Sequence, residues 1–596
     1  MRRRYFEEEM RYLHEAGKAF AEAHPDVGRY LDVDSISDRD PYVERLFEGV
    51  AFLTGRIRAL LDDELPQYTE GLLSLLYPHF LRPLPAFSIV EMRPKVGMLQ
   101  ETKVLDPGAE VISAPVGSDY MRCRFQSAYP VHLHPMTLAE AALDWRPDQT
   151  SSLRLRFDLE RGVDITNLDL SRLRLYFHAD MQTAQTLHLF ATRHVREVVV
   201  QAPGGNTVYG RLRGQKWVQP VGFGDQESLL PRTQHEFSGY RLLQEYLCFP
   251  SKFLFVDLLG LEAMDLEGQS QFEVLLSFDA SYPENQPVSH TNVRLHCTPV
   301  VNLYETDAEP FRADGLSSEY RLLPSVRHRS STEIYDIRSV IGMEEVTGRR
   351  NTYEPYFTFK HATQGTPERY YTVHRRTDPQ GRPALYLSLH APSDSDRPGR
   401  SKRGRGLMAE TISTEVWATN GNLPHEKIQE GMINQVGPNL PQIIQPNNLT
   451  RPTRRLFPPL ESHQDFFWRL ISHWSFNYIT VASPEAVQGL LDLYDWTDDS
   501  AQRRSNLRRR KGLERVRWAS KEVLYRGSII RGAEVILQIR DEQFVSTGDL
   551  CLFGSVMSAF LSMYATVNSF VHLTIETIPA SERYTWSPKH GARATL

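Results

Sequence analysis

The stretch that decides the fold is "LLSLLYPHFLRPLP", Leu72–Pro85, because its two halves require different backbones. The first half is dense in leucine, and leucines on several faces predict a helix that is buried all round. The second half carries Pro78, Pro83 and Pro85, and a proline inside a helix removes a hydrogen bond and clashes with the preceding turn. The residues that follow, "AFSIVEMRP", are typical of a strand. We therefore predict that a helical segment ends here and that a β-rich body begins.

Upstream of this stretch, apolar residues recur at alternating steps of three and four over nearly three heptads. Such a stripe is the seam along which one helix packs on another. Periodicity alone does not say whether the packing is with a partner subunit or within this chain, so both interpretations stay open. The candidate partner-interface residues are Val43, Leu46, Val50, Leu53, Ile57 and Leu60 on the seam, with Leu72, Leu75 and Leu76 in the leucine-dense stretch.

The length and the patterns of the chain predict an α+β protein of several domains. A chain of 596 residues exceeds what one hydrophobic core supports. Alternating segments such as "LRLRFDL" (Leu153–Leu159) and "LRLYF" (Leu173–Phe177) predict half-buried strands in the middle of the chain. The expected divisions are a helical bundle segment at 1–85, β-rich domains at 86–200, 201–315 (with a "GYRLLQEY" helix) and 316–455 (with a mobile loop at 393–406), and an α/β domain at 456–596.

The composition excludes several classes of protein. Lys plus Arg total 68 against 74 Asp plus Glu, and the net charge of −6 is unlike that of a dedicated nucleic-acid binder. The four cysteines are widely spaced, which is typical of a reduced cytosolic protein, and the N-terminus lacks the apolar region of a secretory signal. Residues 550–575 carry no Asp, Glu, Lys or Arg, but serine and threonine recur there at helical spacing. We therefore expect that segment to pack within the protein instead of entering a membrane.

A search for catalytic motifs finds none. Three His-Glu pairs lack the second histidine that a zinc-binding helix requires one turn later. His132 and His134 share one strand face, as two metal ligands would, but no third ligand is near in the sequence, and a polar strand face is the favoured interpretation. We expect no catalytic residue, no metal and no cofactor. An acidic run is expected to be a solvated helix end, formed by Asp492, Asp495, Asp498 and Asp499.

Two alternative functions remain open at this point. A β-rich carbohydrate-active hydrolase would need two facing carboxylates at glycosidase spacing. A nucleic-acid-binding module would use the arginine-rich segment at 503–511, "RRSNLRRRK", which we expect to be an exposed basic loop. Such a loop would contact phosphate or an acidic partner protein, but in an acidic chain solubility is the favoured role of a short basic loop.

Longer motifs carry a resemblance that extends over nearly the whole chain. The main segment is "VGFGDQESLLPRTQHEFSGYRLLQEYLCFPSKFLF" (Val221–Phe255), and others are "CTPVVNLYETDAEP", "YEPYFTF", "WATNGNLP", "WRLISHWSFNY" and "LFGSVMSAFLSMYATVNSF". Together they resemble the TssF family of type VI secretion baseplate subunits, also called ImpG or VasA. The chain departs from that pattern at Leu247, where an aromatic residue is usual, and at Gly421, where an arginine is usual.

This resemblance implies a non-catalytic scaffold. TssF-like proteins pair as two copies with one TssG to make a baseplate wedge, which is similar to the wedge proteins of contractile phage tails. The wedge attaches TssK and the sheath initiator TssE, and six wedges surround the spike (VgrG) and the inner tube and link them to the sheath. The resemblance thus implies these partners, no nucleic acid, no direct membrane insertion, and a cytoplasmic location at the bacterial inner-membrane complex.

The motifs also imply residues that support the fold. Gly222, Gly239 and Gly554 are expected where the backbone turns tightly or packs closely. Arg241 and Glu245 are expected as an i,i+4 pair on the exposed side of their helix. The other motif residues are Phe223, Tyr240, Pro250, Asn302, Asn420, Trp468, Asn477 and Asn568.

Overall fold

The structure is a computed structural model of the chain. It describes residues 6–7, 9–16, 45–55, 71, 73–74, 78–147, 150–231, 238–314, 316–324, 331–345, 347–356, 369–377, 383–390, 409–458, 483–525, 528–563, 565 and 569–591. The chain divides into two compact units, Met1–Leu76 with Glu461–Ile471, and Tyr77–Leu460 with Ser472–Leu596. The division falls inside the opening stretch, between Leu76 at the end of its leucine-dense half and Tyr77 before its first proline. The finer five-part division stays a prediction.

In the first unit, the described part of the predicted seam is helical. Residues 9–16 and 45–55 are both in helices, and the ring centroids of His14 and Phe47 lie 5.9 Å apart. These two helical stretches therefore contact each other.

The second unit is strand-rich and begins with a short 3₁₀ helix, Pro78–Leu81, in the proline half of the opening stretch. The strands of its first half are β1 Phe87–Pro94, β2 Lys103–Leu105, β3 Glu110–Ser113, β4 Arg124–Ser127, β5 Val131–Leu133, β6 Met136–Trp145, β7 Ser151–Leu159, β8 Arg172–Phe177, β9 Val195–Gln201, β10 Val208–Arg213, β11 Val218–Pro220, β12 Phe255–Leu259, β13 Gln271–Phe278, β14 Val293–Arg294 and β15 Cys297–Val301.

The remaining strands follow in chain order. They are β16 Tyr304–Asp307, β17 Phe311–Ala313, β18 Tyr320–Arg321, β19 Glu333–Glu344, β20 Arg350–Pro355, β21 Tyr370–Thr377, β22 Pro383–His390, β23 Glu410–Thr419, β24 Ile433–Val436, β25 Ile444–Asn448, β26 Leu513–Tyr525, β27 Ser528–Arg540, β28 Phe570–Ile578, β29 Arg583–Thr585 and β30 Lys589–His590. The α-helices of this unit's described part are α1 Met181–Arg193, α2 Ser238–Cys248, α3 Leu423–Lys427, α4 Pro484–Tyr494, α5 Ser500–Gly512 and α6 Thr547–Ser562.

A six-stranded antiparallel sheet has the strand order β24-β3-β4-β15-β1-β25 and contributes to one of the hydrophobic cores of this unit. Strand β1 lies inside this sheet, where Phe87 is opposite Val301 of β15 and Val90 is opposite Asn448 of β25. The first six residues of β1 are buried. Because this strand is covered on both faces, its sequence does not alternate cleanly. The core it lines includes Val90, Met92, Val111, Phe125, Ile433 and Ile444.

Two smaller sheets follow, in the orders β10-β9-β13-β7-β6 and β11-β12-β8-β14. Both strands predicted from alternation, β7 and β8, are confirmed in them. Helix α1 packs against β8, β11 and β12 and is not predicted by the sequence analysis. It begins at Asp180, whose carboxylate accepts a hydrogen bond from the backbone N–H of Thr183 at 3.1 Å.

An eight-stranded sheet contains β16-β23-β19-β20-β21-β22-β18, with β17 paired to β23. Its pairs are antiparallel except β20 with β21. Its core includes Val340, Tyr353, Leu387 and Ile412. The sheet accounts for most of the expected β-rich segment at 316–455, while the predicted loop at 393–406 lies outside the described residues.

The last part of the chain forms a five-stranded sheet, β26-β27-β28-β29 with β30 beside β28, in which β27 and β28 are parallel. Helix α6 connects these two strands and packs against β28. It begins at Thr547, where the Ser546 hydroxyl caps the N-terminus by accepting a hydrogen bond from the N–H of Asp549. In the described part of the chain, no helix is long and apolar enough to cross a membrane.

Candidate partner interface and motif network

The candidate partner interface is described at Leu46, Val50 and Leu53, and all three side chains are exposed. Their exposed fractions are 64%, 38% and 59%, and the neighbouring Phe52 is 60% exposed. A single exposed apolar residue is ordinary, but Leu46, Val50 and Leu53 lie within about 60° of one helix face and form an apolar stripe of the kind that marks an interaction site. The other predicted interface residues lie outside the described residues: Val43, Ile57, Leu60, Leu72, Leu75 and Leu76.

Gly222 of the main motif occupies a turn that only glycine fits. Its φ is +103°, and a Cβ there would lie 3.0 Å from the Tyr129 hydroxyl and 3.1 Å from the Lys252 carbonyl oxygen. The Glu227 carboxylate accepts hydrogen bonds from the backbone N–H groups of Gly222 at 2.8 Å and Gly224 at 3.0 Å. The expectation of a tight turn at Gly222 is therefore confirmed.

The expectation that Arg241 and Glu245 form an exposed pair on α2 is wrong. The carboxylate of Glu245 instead binds Lys252. Glu245 and Arg241 are both buried, so α2 has no exposed side at these positions. The ammonium of Lys252 donates to Glu245, and the N–H of Leu229 donates to the same carboxylate at 2.9 Å. Burial lowers the pKa of Lys252 below its usual range, while the charge of Glu245 opposes that shift. This pair joins three parts of the main motif: the LLP segment, the helix and the FP-x-KF segment.

Tyr240 of the same helix packs into an aromatic cluster. Its ring is stacked on Tyr494 of α4 with centroids 5.1 Å apart, and Phe560 of α6 lies 6.0 Å away. Phe80, from the opening stretch, meets Tyr494 edge-on at 4.9 Å. Aromatic pairs at these separations stabilise a core beyond their buried area. The cluster fixes the proline half of the opening stretch against α4.

Asn302 and Asn420, which are 118 residues apart, form one buried hydrogen-bonded network. The Asn302 Nδ2 donates to Asn420 Oδ1 at 2.9 Å and to the Arg124 carbonyl oxygen at 2.8 Å. In return, the backbone N–H of Asn420 donates to Asn302 Oδ1 at 2.8 Å. These bonds join the end of β15 to the end of β23, and thereby link the six-stranded and eight-stranded sheets.

Gly421, where the resemblance leads us to expect arginine, stands beside an ion pair made by other residues. Its φ is +61°, and a Cβ there would approach Glu333 Oε1 to 2.7 Å and Arg455 Nη1 to 3.2 Å. Arg455 and Glu333 form a salt bridge with both side chains largely buried. A salt bridge is therefore present beside position 421, but its cation is Arg455 and not a residue at position 421 itself.

The remaining described motif residues also pack within the fold. A Cβ on Gly554 would lie 2.2 Å from the Trp586 ring, so close packing is confirmed there, whereas Gly239 lies in the first turn of α2. Pro250 begins a short 3₁₀ helix, and the Phe223 ring lies 5.1 Å from that of Phe253. Trp468, Asn477 and Asn568 lie outside the described residues.

The basic segment at 503–511 is part of helix α5, which corrects the expected loop. Arg509 is buried and forms an ion pair with Asp549 of α6, with Nη2 2.7 Å from Oδ1. Asn506 donates to the Leu247 carbonyl oxygen at 3.1 Å. The segment therefore contributes one face to the core, and sequence reasoning missed this role because Asp549 lies 40 residues further along the chain.

The acidic run is a solvated helix end only in part. Asp492 and Asp498 are exposed, with side-chain exposures of 57% and 59%, and Asp499 caps α5 through the N–H of Ala501. Asp495 is instead half-buried and accepts a hydrogen bond from Asn506 at 3.0 Å. Burial raises the pKa of the Asp495 carboxyl above its ordinary value.

The histidine pair of the sequence analysis lies in a small cluster with His296. The backbone N–H of His134 donates to His296 Nε2 at 3.1 Å, and the ring of His132 lies 6.3 Å from that of His134. Burial lowers the pKa of His134 to about 4 and that of His296 to about 3, so both are neutral at pH 7. Within the described residues, no group of three or more His, Cys, Asp and Glu side chains is placed to hold a metal ion.

An open cleft of about 460 Å³ lies between β24 and β25. A glycosidase site would need two facing carboxylates in such a cleft. The side chains that line this cleft include no carboxylate. They are Lys95, Asn434, Gln435, Val436, Gln442, Ile444, Gln445 and Pro446. The cleft gives the hydrolase alternative no support.

The motif residues hold the sheets together, and the exposed apolar helix face offers a contact for a partner; both features are typical of a structural subunit of a larger assembly. The solved structures that this chain resembles are of that class. A chain in the cryo-electron microscopy structure of the type VI secretion system TssK-TssF-TssG baseplate subcomplex is 32% identical, with a TM-score of 0.78, covering 93% of this chain and 99% of that one. A chain in the baseplate complex from the type VI secretion system is 30% identical, with a TM-score of 0.62, and each chain is covered completely.

The sequence comparisons agree with this likeness. The Type VI secretion system component TssF1 of Pseudomonas aeruginosa is 27% identical over 638 residues, covering 99% of each chain. The family model described as "Type VI secretion system, TssF" matches residues 2–593. The chain therefore belongs to the TssF family of the type VI secretion system, as its motifs indicate.

Proposed function

We propose that this TssF-family chain is a non-catalytic scaffold of the type VI secretion baseplate, and that two copies combine with one TssG-like subunit to form a wedge. The observation that carries this proposal is the exposed apolar face at Leu46, Val50 and Leu53. Permanent interfaces bury apolar centres of this kind. The similar chain in the TssK-TssF-TssG subcomplex supports the choice of partners.

In this wedge, the seam that continues from Val43 to Leu60, with Leu72, Leu75 and Leu76, forms the contact with TssG or with the second TssF copy. The β-rich domains and the α/β domain position TssK, TssE, the spike (VgrG) and the sheath, in the manner of phage-tail wedge proteins. The wedge acts in the cytoplasm at the inner-membrane complex, without nucleic acid and without entering the membrane.

A charge placed on the exposed apolar face tests this proposal. The double variant Leu46→Asp with Leu53→Asp should fail to co-purify with the TssG-like subunit when the two are co-expressed. Burying one leucine is worth about 1.5–3 kcal/mol, so losing two should weaken the complex by more than about a hundredfold. Native mass spectrometry of the wild-type complex should give two copies of this chain for each copy of TssG.

The matched control is Val96→Asp with Met98→Asp, which charges two other apolar side chains that are 85% and 60% exposed. This control should keep the complex intact, and circular dichroism should show that both double variants are folded. An undiminished complex with the Leu46 and Leu53 variant, or an equal loss with the control, would contradict the proposal.

A further inference from the structure

One side of α5 carries a row of cations, which we call the basic face: Arg503, Arg504, Arg508 and Lys511. All four are exposed, and at 100° per residue they fall within roughly 140° of the helix surface. The opposite side carries Asn506 and Arg509, which are buried. The charge continues where α5 runs into β26, because Arg515 and Arg517 are exposed and, two residues apart, share one side of that strand.

Two of these cations also have contacts within the fold, because Arg508 Nη2 donates to the Glu542 carbonyl oxygen at 2.9 Å and the charge of Arg503 acts on the Asp495 carboxyl. Helix propensity alone, however, disfavours the arrangement. Arg504 and Arg508 are an i,i+4 pair of like charges, which repel each other on a helix surface. Arg503 and Arg504 also lie next to the first turn, where the helix dipole disfavours positive charge. Only the cations of the last turn, including Lys511, are favourably placed with respect to the dipole. A local conflict of this kind is typical of a functional surface.

The fold holds the basic face in a fixed position. On the buried side, the Arg509 guanidinium binds Asp549, and Asn506 donates to the Leu247 carbonyl oxygen at 3.1 Å and to Asp495 Oδ1 at 3.0 Å. These bonds attach α5 to α2, to α6 and to the end of α4. Cations on a rigid helix lose less freedom on binding than cations on a loop, which favours a specific contact.

We propose that the basic face of α5, together with Arg515 and Arg517, binds an acidic segment of a partner protein. The planar guanidinium group donates two parallel hydrogen bonds to a carboxylate, so a row of arginines suits a segment rich in Asp and Glu. The half-buried side chain of Leu507 lies in the middle of the face and offers an apolar contact. A peptide side chain covers such a contact, and a phosphate backbone does not. This proposal is independent of the wedge assembly proposed above, because the basic face belongs to α5 and β26 and not to the apolar face of the first unit.

Fluorescence anisotropy of a fluorescein-labelled decaglutamate peptide, titrated with the full-length chain at 50 mM NaCl, tests this surface. The triple variant Arg503→Gln, Arg504→Gln and Arg508→Gln should bind the peptide about tenfold more weakly than the wild type, as expected for the loss of several exposed ion pairs. A matched triple variant with exposed arginines on β9 and β10, Arg196→Gln, Arg211→Gln and Arg213→Gln, should change the affinity less than about twofold.

The α5 triple variant should stay folded, with unchanged hydrogen exchange in peptides from α2 and α6, because the three substituted side chains are exposed. If that variant unfolds instead, the single variant Arg504→Gln replaces it. This single variant should bind the peptide at least about twofold more weakly than the wild type. No binding by the wild type, or an equal loss in the β9–β10 variant, would overturn the proposal. So would tighter binding of a 20-base-pair DNA duplex with the same sensitivity to the α5 substitutions, which would assign the surface to nucleic acid.

Discussion

Replacing Asp549 by alanine removes the carboxylate from a guanidinium group that has almost no access to water. Arg509 and Asp549 are 5% and 1% exposed. Arg509 Nε lies 3.1 Å from both carboxylate oxygens, and Nη2 lies 2.7 Å from Oδ1. Removing one partner of a buried pair leaves an uncompensated charge, which costs about 3–5 kcal/mol. We therefore expect Asp549→Ala to destabilise the packing of α5 on α6 by this amount.

Removing both charges separates the cost of an orphaned charge from the loss of contacts. The double variant Arg509→Met with Asp549→Leu leaves no buried ion, but Gln185 Nε2 loses its bond to Asp549 Oδ1 at 3.1 Å, and Asn506 Oδ1 loses its bond from Arg509 at 2.8 Å. Each buried group left unsatisfied costs about 1–3 kcal/mol. We expect the double variant to be more stable than Asp549→Ala but less stable than the wild type.

Hydrogen exchange measured by mass spectrometry is the suitable assay, because a chain of several domains does not unfold in one step. Peptides from α5 and α6 should exchange faster in Asp549→Ala, while peptides from the six-stranded sheet should not change. The control is Arg531→Gln, which breaks a pair with Glu522 whose side chains are 84% and 52% exposed, and it should cost less than about 1 kcal/mol. Unchanged exchange in α5 of Asp549→Ala would refute the reasoning.

Two further predictions follow from the motif turn and the histidine cluster. Gly222→Ala should destabilise its turn by about 1–3 kcal/mol, because its φ of +103° is strained for alanine and its Cβ meets Tyr129, and peptides that contain residues 221–227 should exchange hydrogen faster. Gly97→Ala, at a φ of +76° with open space around it, should have a smaller effect on its own turn, and equal effects would contradict the steric argument. Burial depresses the folded pKa of His134 to about 4 and of His296 to about 3, so the stability that their neutral forms contribute is complete above the unfolded pKa of about 6.5 and is lost as pH falls toward 4. Thermal midpoints between pH 7.5 and 4.5 should fall less steeply in His134→Gln with His296→Gln than in the wild type, and parallel slopes would contradict this assignment.

The sequence predicts elements whose signals are local. The strands β7 and β8 follow from alternation, the helix α2 from its "GYRLLQEY" motif, and the turn at Gly222 from the glycine itself. These features depend on neighbours within a few residues, where spacing determines which side chains share a face.

Contacts between distant segments account for what the sequence analysis misses. The i,i+4 spacing of Arg241 and Glu245 predicts an exposed pair, but Lys252 takes the Glu245 carboxylate because the chain turns back after α2. The charge of the 503–511 segment predicts a loop, because nothing near it shows that Arg509 has a partner on α6. The resemblance identifies Asn302 and Asn420 as motif residues, but only the structure brings them together.

The position of β1 inside the six-stranded sheet affects how the protein is made. The backbone N–H of Phe87 donates to the hydroxyl of Thr453, which lies 366 residues further along the chain. One edge of β1 pairs with β15. Its other edge stays unpaired during synthesis until the ribosome has made β25. A strand edge left open during synthesis is a site for wrong pairing with other nascent chains. We therefore expect truncated products that end before residue 444 to aggregate, even when most of the β-rich chain has been made.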